Sequence, residues 1–421
     1  MTPAAHADSP AFKRINRAML FAGFAAFALL YSVQPLMPQL AREFALTPTQ
    51  SSWALSSATL ALAVSLVLSS ALSDRIGRKS LMALALAGSA GLTLLSAFAR
   101  DFSELLVLRT LTGLALGGMP AVAMAYLSEE IEPRSLGLSM GIYIAGSAFG
   151  GMSGRLLASV IADHASWRWS LALLGAAGLV AAWEFWRSLP ASRRFVSTQP
   201  GWRTLAVGVR GHLADAGLPW LFALAFLLMG VYVSMFNYIS YRLQSAPFNL
   251  SQSAFGALSL LYLLGMYGAV WAGRLADRVG RRNVLWIVLS LMLGALLLTL
   301  SNALALIVLG MALFTFAFFA THSVASSWVG RRAAAPQALA SALYLFFYYA
   351  GSSLVGSFSG MAFKAGGWPA LVALLSFILG IGLLIALRLR SLAPLAATSG
   401  GTGERTTVPH AASRDGCVDL A

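Results

Sequence analysis

The charged string DRIGRK at residues 74–79 recurs as DRVGRR at residues 277–282, with an offset of 203 residues. The shared positions are Asp74, Arg75, Gly77 and Arg78 in the first copy and Asp277, Arg278, Gly280 and Arg281 in the second. Pro133 and Leu136 recur at the same offset as Pro336 and Leu339. A period of about half the chain indicates a duplicated domain and not a solenoid of short repeats.

The sequence around the two strings is strongly apolar. Of the 421 residues, 58% are hydrophobic and 10% are charged, compared with about 45–50% and about 25% in soluble domains. Because roughly 20 apolar residues cross a bilayer core, the chain is predicted to be an all-α membrane protein. Its twelve predicted transmembrane helices begin near residues 17, 51, 80, 104, 136, 167, 218, 252, 284, 304, 337 and 369.

The longest polar interruption between these helices divides the chain into two pseudo-symmetric six-helix bundles. The predicted segments are an N-terminal tail (1–16), a first bundle (17–187), an inter-domain loop (188–217), a second bundle (218–390) and a C-terminal tail (391–421). The end of that tail has no periodic apolar face and is predicted to be disordered.

The basic residues predict the orientation of the chain. If the N-terminus is inside, most of the 29 Lys and Arg residues lie in inner segments, and the outer segments hold only Arg42, Arg100, Arg168, Arg242 and Lys364. Because basic loops are retained in the cytoplasm, both termini and the inter-domain loop are predicted to be cytoplasmic. Topology therefore explains the net charge of +14, and the expected partners are the lipid bilayer and a small molecule, not nucleic acid. The single cysteine, Cys417, offers no Cys-based metal site.

The repeated string resembles the signature loop of the major facilitator superfamily, approximately G-x-x-x-D-R-x-G-R-[RK]. The second copy matches from Gly273 onward, whereas Ser70 stands at the leading glycine position of the first. FNYISYRL (236–243) and THSVASSWVGRR (321–332) are similar to the YnfM-like branch of bacterial efflux carriers. The resemblance implies a transporter of the bacterial inner membrane, functional as a monomer, that rocks two halves about a central site.

The charged loop is also predicted to act as a gate. Ser70 and Gly273 would allow close helix approach. Asp74 and Asp277 are placed to cap the helices that follow Pro336 and Pro133, respectively, and the resemblance implies that this pairing belongs to the outward-open state. The alternative is that the basic residues only enforce topology.

Two residues within predicted helices are candidates for proton coupling. Arg109 is an intramembrane arginine, and with Gly113 it resembles the R-x-x-x-G-x-G motif of proton antiporters. His322 belongs to a residue type that titrates near neutral pH. The alternatives are an arginine that snorkels to the outer headgroups and a hydrogen-bonded structural histidine.

Three glycines of the fifth predicted helix, Gly146, Gly150 and Gly154, are spaced four residues apart and share one face. Such a face favours close helix packing. The segment resembles an antiporter motif, G-x-x-x-G-P-x-x-G-G, but Gly151 replaces its proline and Arg155 its last glycine. Either an antiporter hinge or packing at the interface between the halves is expected.

The resemblance implies that the first, fourth, seventh and tenth helices line a central cavity. The candidate lining residues are Tyr31, Gln34, Asn237, Tyr238 and His322. They are amphipathic rather than charged, which favours a partly apolar or zwitterionic organic solute.

These features predict a secondary transporter that exports a small organic solute in exchange for protons, with uptake as the alternative. No G-x-x-x-x-G-K-[ST] motif occurs, so a proton gradient is the expected energy source and no cofactor is expected. A membrane enzyme or a sensor is the remote alternative, because the five histidines are scattered along the chain.

Overall fold

The computed structural model describes residues 5, 9–192, 202–333 and 337–392. These residues are helical except for loops and one isolated β-bridge between Ala5 and Ile131. The helices are α1 (Pro10–Tyr31), α2 (Met37–Glu43), α3 (Pro48–Ile76), α4 (Arg78–Ser96), α5 (Phe102–Leu116), α6 (Pro120–Glu130), α7 (Pro133–His164), α8 (Trp167–Ser188), α9 (Trp202–Ala214), α10 (Leu218–Leu243), α11 (Gln252–Ala257), α12 (Tyr262–Val279), α13 (Arg281–Leu298), α14 (Leu304–Arg332) and α15 (Gln337–Arg390).

Eleven helical segments of the described residues are long and apolar enough to cross a membrane. The last runs for 52 residues, from Leu339 to Arg390, and measures roughly 78 Å at 1.5 Å per residue, enough for two crossings. The backbone leaves the helical conformation at Gly366 and Gly367, so α15 consists of two limbs, 337–365 and 368–390. The predicted twelve-helix fold is confirmed, and a two-glycine turn joins the last two helices.

The first, fourth and eighth of these segments are each built from more than one helical piece. α1 is followed by a 3-10 helix, Gln34–Leu36, before α2 continues. Pro35 and Pro38 lie within this change of helix type, and proline removes a backbone donor. A second 3-10 helix, Leu258–Leu261, separates α11 from α12. These two breaks place 3-10 helical backbone beside the central site.

Two halves, α1–α8 and α10–α15, pack side by side. We call the face where α3 meets α4 and α12 meets α13 the loop face, and the opposite one the far face. α1 also begins at the loop face, where Arg14 donates hydrogen bonds to the carbonyls of Arg187 and Ser188 at the end of α8.

The segment between the halves, predicted as a loop, contains helix α9 and is anchored at both ends. Tyr126 donates a hydrogen bond to the carbonyl of Pro190 in the first half. Asp215 accepts from Arg332 at the end of α14 and from the amides of Gly217 and Leu218. Partial burial opposes ionisation of Asp215, but these hydrogen bonds outweigh it and hold the pKa of the carboxyl below its usual 3.8.

The contacts between the halves lie toward the far face. α3 packs on α15, and α7 packs on α11. Ser353 donates a hydrogen bond to the carbonyl of Ser56 (2.8 Å). Tyr241 bonds Ser51 (2.6 Å) near the far-face ends of α10 and α3. All the hydrogen bonds that join described residues of the two halves lie between the centre of the molecule and the far face.

The glycine face of α7 packs directly on the backbone of α1. A Cβ atom added at Gly146 would lie 2.4 Å from the carbonyl oxygen of Leu20, and one at Gly150 only 2.0 Å from that of Phe24. At Gly154 it would lie 2.6 Å from the Cα of Ala28. The close approach therefore lies within the first half, and not at the interface between the halves, which was one of the two expectations.

Candidate functional site

A hydrogen bond between two repeat-equivalent residues marks the centre of the molecule. Gln34 and Asn237 are separated by the repeat offset of 203 residues, and Nε2 of Gln34 donates to Oδ1 of Asn237 (2.7 Å). A residue that contacts its own equivalent lies close to the pseudo-twofold axis relating the halves. Both side chains are buried, so this contact places a polar pair on the axis inside the bundle.

Arg155 of α7 extends this pair into a charged cluster. Its Nε donates to Oε1 of Gln34 (2.7 Å) and its Nη1 to the carbonyl of Gly151 (2.8 Å). The guanidinium carbon lies 4.2 Å from the ring centroid of Tyr31 and 4.8 Å from that of Tyr262, within the range of cation–π attraction. The side chain is only 4% exposed. Arg155 therefore presents a positive charge at the junction of the two halves.

In the sequence, Arg155 stands at the last glycine position of the antiporter motif. An arginine inside a predicted transmembrane helix indicates function. This criterion selected Arg109, and it applies equally to Arg155. The repeat offset from Arg155 leads to Phe358, which is exposed. The charge is therefore carried by the first half alone.

Aromatic side chains of the second half adjoin this cluster. The ring of Tyr232 stacks on that of Phe318 at 3.7 Å and lies 6.0 Å from that of Tyr262. His322 follows one helical turn after Phe318, with its ring 4.7 Å from that of Tyr348. These rings form a continuous wall from Tyr262 to His322.

The structure brings together some of the predicted cavity residues and separates others. Tyr31, Gln34 and Asn237 meet at the cluster, and His322 lies in the aromatic wall. Tyr238 is directed elsewhere, because its hydroxyl donates to the carbonyls of Gly356 and Ser357 in α15. Tyr238 therefore ties α10 to α15 and does not line the cluster. The predicted absence of charge does not hold for this site, since Arg155 is part of it.

His322 has a defined hydrogen-bond partner. Its Nδ1 lies 2.9 Å from the hydroxyl of Tyr344, with donor and acceptor roles that depend on the tautomer. The imidazole is half-buried. The contact supplies the partner that a structural histidine needs, and it also offers a hydroxyl to receive or deliver a proton.

Arg109 is fully buried and binds backbone carbonyls. Its guanidinium donates to the carbonyls of Leu29 (3.2 Å) and Leu30 (2.6 Å) in the last turn of α1, and to that of Ala54 in α3 (3.2 Å). The last carbonyls of a helix lack intrahelical donors, and a cation there is favoured by the helix dipole. The side chain does not snorkel. Arg109 caps α1 immediately before the 3-10 turn that carries Gln34.

The two charged loops adopt the same backbone conformation. Gly77 (φ +86°) and Gly280 (φ +88°) each end one helix and begin the next. Arg78 pairs with Glu129 of α6 (2.8 Å), and Arg281 donates to Ser327 of α14 (3.0 Å). Each loop is therefore tied to the neighbouring helix of its own half. Arg75 and Arg278 are exposed.

The predicted cross-half caps are not made in this conformation by the residues that are described. Asp277 pairs with Arg281 (2.9 Å) and Arg331 (3.5 Å), both in its own half, and not with the helix that begins at Pro133. Pro336 and the side chains of Ser70 and Asp74 lie outside the described part of the structure. A Cβ atom at Gly273 would stand 3.7 Å from Oγ of Ser323, an ordinary contact, so the close approach predicted there is not required.

Substituting Gly280 with alanine is expected to destabilise the protein by about 1–3 kcal/mol, because its backbone conformation is almost exclusive to glycine. Unfolding in detergent measures the change. Gly294→Ala in α13 is the matched control, since a Cβ atom there meets nothing within 4 Å and φ is not positive. Equal stability of the two variants would show that the loop relaxes without cost.

Two helical halves that meet at a polar cluster on their repeat axis are typical of secondary membrane transporters. The family model described as Major Facilitator Superfamily matches residues 19–356. The chain belongs to the Major Facilitator Superfamily, as the repeated loop predicted.

Relatives and solved structures agree with this assignment. The chain is 47% identical over 381 residues to the inner membrane transport protein YnfM of Escherichia coli (strain K12), covering 90% of this chain and 91% of that protein. It is 43% identical over 375 residues to the MFS-type transporter YybF of Bacillus subtilis (strain 168), covering 89% and 93%. A bacterial homologue of the human lysosomal transporter Spinster, solved in an inward-facing and unoccupied conformation, has a TM-score of 0.76 at 17% identity and covers 91% of this chain and 98% of that chain. That structure shares the fold.

Proposed function

We propose that the protein exports a small organic solute across the bacterial inner membrane by alternating access, in exchange for protons. The observation that carries this proposal is the Gln34–Asn237 contact on the repeat axis. A site on the axis is reached from either face when two halves rock about it. The excess of basic residues at the loop face favours a cytoplasmic location for that face, and the far-face contacts then correspond to an inward-open state.

The transition to the other state requires the far-face contacts to break. Such hydrogen bonds contribute about 0.6 kcal/mol each in membrane proteins, so a few of them form a reversible closure. In the opposite state Asp277 would exchange its partners Arg281 and Arg331 for the start of α7. The exposed position of Asp277, at 59% of its side-chain surface, leaves it free to make this exchange.

A reversible crosslink across the far face tests alternating access. Ser253 donates its amide to Asp163 (3.1 Å) across the halves. With Cys417, the one native cysteine, changed to serine, Asp163→Cys and Ser253→Cys would be bridged by a short bifunctional thiosulfonate. In proteoliposomes carrying an internal pH dye, solute-dependent proton movement is measured over a panel of organic anions, cations and zwitterions. The bridge should abolish this movement and a reductant should restore it, while each single-cysteine variant stays active. Undiminished movement in the bridged protein would contradict alternating access.

His322→Gln is expected to uncouple transport from the proton gradient. Glutamine can bond Tyr344 but cannot carry a proton at neutral pH. Solute exchange at equal pH should therefore persist, whereas the acceleration by an acid exterior should be lost. His164→Gln is the control, because His164 is an exposed residue at the far-face end of α7. Retained acceleration in His322→Gln would remove His322 from coupling, and acid-driven uptake in place of efflux would favour the import alternative.

A further inference from the structure

We propose that the central cluster binds the carboxylate of an aromatic monocarboxylic acid, with Arg155 as the anchoring cation. This inference deepens the proposed transport function and rests on it. Its basis is a buried guanidinium that has no carboxylate partner among the described residues and lies between two tyrosine rings beside an aromatic wall.

The charge of Arg155 has no counter-charge among the described residues. The ion pairs of the described residues occupy Arg78, Arg168, Arg281, Arg331 and Arg332. Arg155 is in none of them, although it is buried near the middle of the bundle. An isolated ion in a low-dielectric interior is costly unless a counter-charge accompanies it. The protein supplies no such charge to Arg155 from its described residues, and an anionic solute would.

The guanidinium of Arg155 has hydrogen-bond donors to spare. A guanidinium has five N–H donors in one plane, and Arg155 makes two hydrogen bonds, one through Nε and one through Nη1. The rings of Tyr31 and Tyr262 lie beside its guanidinium carbon. Nη2 and the second proton of Nη1 have no hydrogen-bond partner among the described residues. A carboxylate binds a guanidinium edge in this plane through two parallel hydrogen bonds.

The aromatic side chains beside Arg155 favour a solute with an aromatic ring. The aromatic wall continues from Tyr262 through Tyr232 and Phe318 to Tyr348. Aromatic rings pack on one another in offset or edge arrangements with a gain beyond their buried area. One unpaired cation matches one carboxylate. No Asp or Glu of the described residues contacts the cluster to receive an ammonium, so the site favours a monoanion over a zwitterion, which was one of the two kinds of solute expected from the sequence.

Benzoate and its neutral isostere benzamide are the probes, and their binding to the detergent-purified full-length chain is followed by thermal stabilisation, which reports ligand occupancy. Benzoate should stabilise the protein and benzamide should bind roughly 10- to 100-fold more weakly, the loss expected for a charge-assisted hydrogen-bonded pair. L-phenylalanine, a zwitterion of similar shape, should also bind more weakly than benzoate.

Two variants separate the ligand-binding role from a structural one. Arg155→Gln removes the cation and should remove the difference between benzoate and benzamide. Gln34→Glu keeps Arg155 and places a carboxylate on the atom that already accepts from its Nε. The Asn237 amide must turn to donate to this carboxylate, because the Nε2 donor of Gln34 is lost, and benzoate binding should be abolished because the site is neutralised. Gln39→Glu, at a half-buried position near the far face, is the control for an added acid and should bind benzoate as the unaltered chain does.

Equal binding of benzoate and benzamide, or full benzoate binding by Gln34→Glu, would overturn the inference. Because binding is measured without flux, its failure is distinguishable from failure of the proposed function. Benzoate binding that depends on Arg155, in a protein that moves no solute, would contradict transport and uphold the site. Proton-coupled movement of other solutes, without benzoate binding, would uphold transport and contradict the site.

Discussion

Arg109→Met is expected to abolish transport and to lower the free energy of unfolding by about 2 kcal/mol or more. The guanidinium makes three hydrogen bonds to carbonyls of α1 and α3, and each such bond in a membrane protein contributes roughly 0.6 kcal/mol. The carbonyl of Leu30 would then lose its guanidinium donor, which adds a desolvation cost, whereas the carbonyl of Leu29 keeps the hydroxyl of Ser32 as a donor. Because α1 leads directly into the 3-10 turn, Gln34 would shift relative to Asn237.

A second variant separates capping from proton coupling. Arg109→Lys keeps the charge but replaces a planar fork, which reaches carbonyls of two helices, with a single nitrogen. If Arg109 acts as a cap, Arg109→Lys should lose solute exchange even at equal pH. If it acts in proton coupling, exchange at equal pH should persist and only the response to a gradient should fall. Arg100→Met, at an exposed arginine, is the matched control and should leave both stability and exchange unchanged.

Gly150→Ala is expected to be the most damaging single-methyl substitution in α7. The new Cβ atom would lie 2.0 Å from the carbonyl oxygen of Phe24, and neither helix backbone can yield without moving the whole contact. Overpacking of this kind costs about 1–3 kcal/mol, and occasionally more. Separation of α7 from α1 would also pull Arg155 away from Tyr31, so substrate binding should weaken along with stability.

Gly141→Ala provides the control on the same helix. A Cβ atom at Gly141 meets nothing within 4 Å, and alanine is favoured over glycine in a helix by about 1 kcal/mol. Unfolding by detergent titration should therefore rank Gly141→Ala at or above the unaltered chain and Gly150→Ala well below it. Equal stability of the two variants would show that α1 and α7 separate without cost, contrary to the packing described above.

The asymmetry of the central site has a functional consequence. Gln34 and Asn237 are amide side chains at equivalent positions, and they form a nearly symmetric pair on the axis. The residue of the second half that is equivalent to Arg155 is Phe358. The positive charge of the site therefore comes from the first half alone. A duplicated scaffold provides the two-state movement, and a single arginine then provides the charge that a solute recognises.

Much of the fold was predictable from the sequence because the physical causes are local or periodic. The duplicated string, the 203-residue offset and the apolar stretches predicted the halves and twelve helices. Glycine at positions 77 and 280 follows from a backbone conformation that other residues avoid. In the same way Thr47 and Gln50 form a capping box that starts α3.

Other features of the site depended on contacts between distant segments. Tyr238 follows Asn237 directly, and both side chains donate to the carbonyl of Gly356. Only Asn237 also bonds Gln34 across the axis. No pattern in the sequence indicates that the hydroxyl of Tyr238 would reach Gly356 and Ser357. The glycine face was visible in the sequence, but its partner, α1, was not.

The sequence by itself determined a duplicated helical membrane transporter, because burial in lipid imposes length and polarity limits that each helix must satisfy on its own. Only the tertiary structure decided what the two intramembrane arginines do. Arg109 meets backbone carbonyls and acts as a cap, whereas Arg155 meets an amide pair on the axis and keeps donors free. The two residues look alike along the chain. They differ because the packing of α1 and α3 supplies three carbonyl acceptors to the guanidinium of Arg109, whereas that of Arg155 is left incompletely paired.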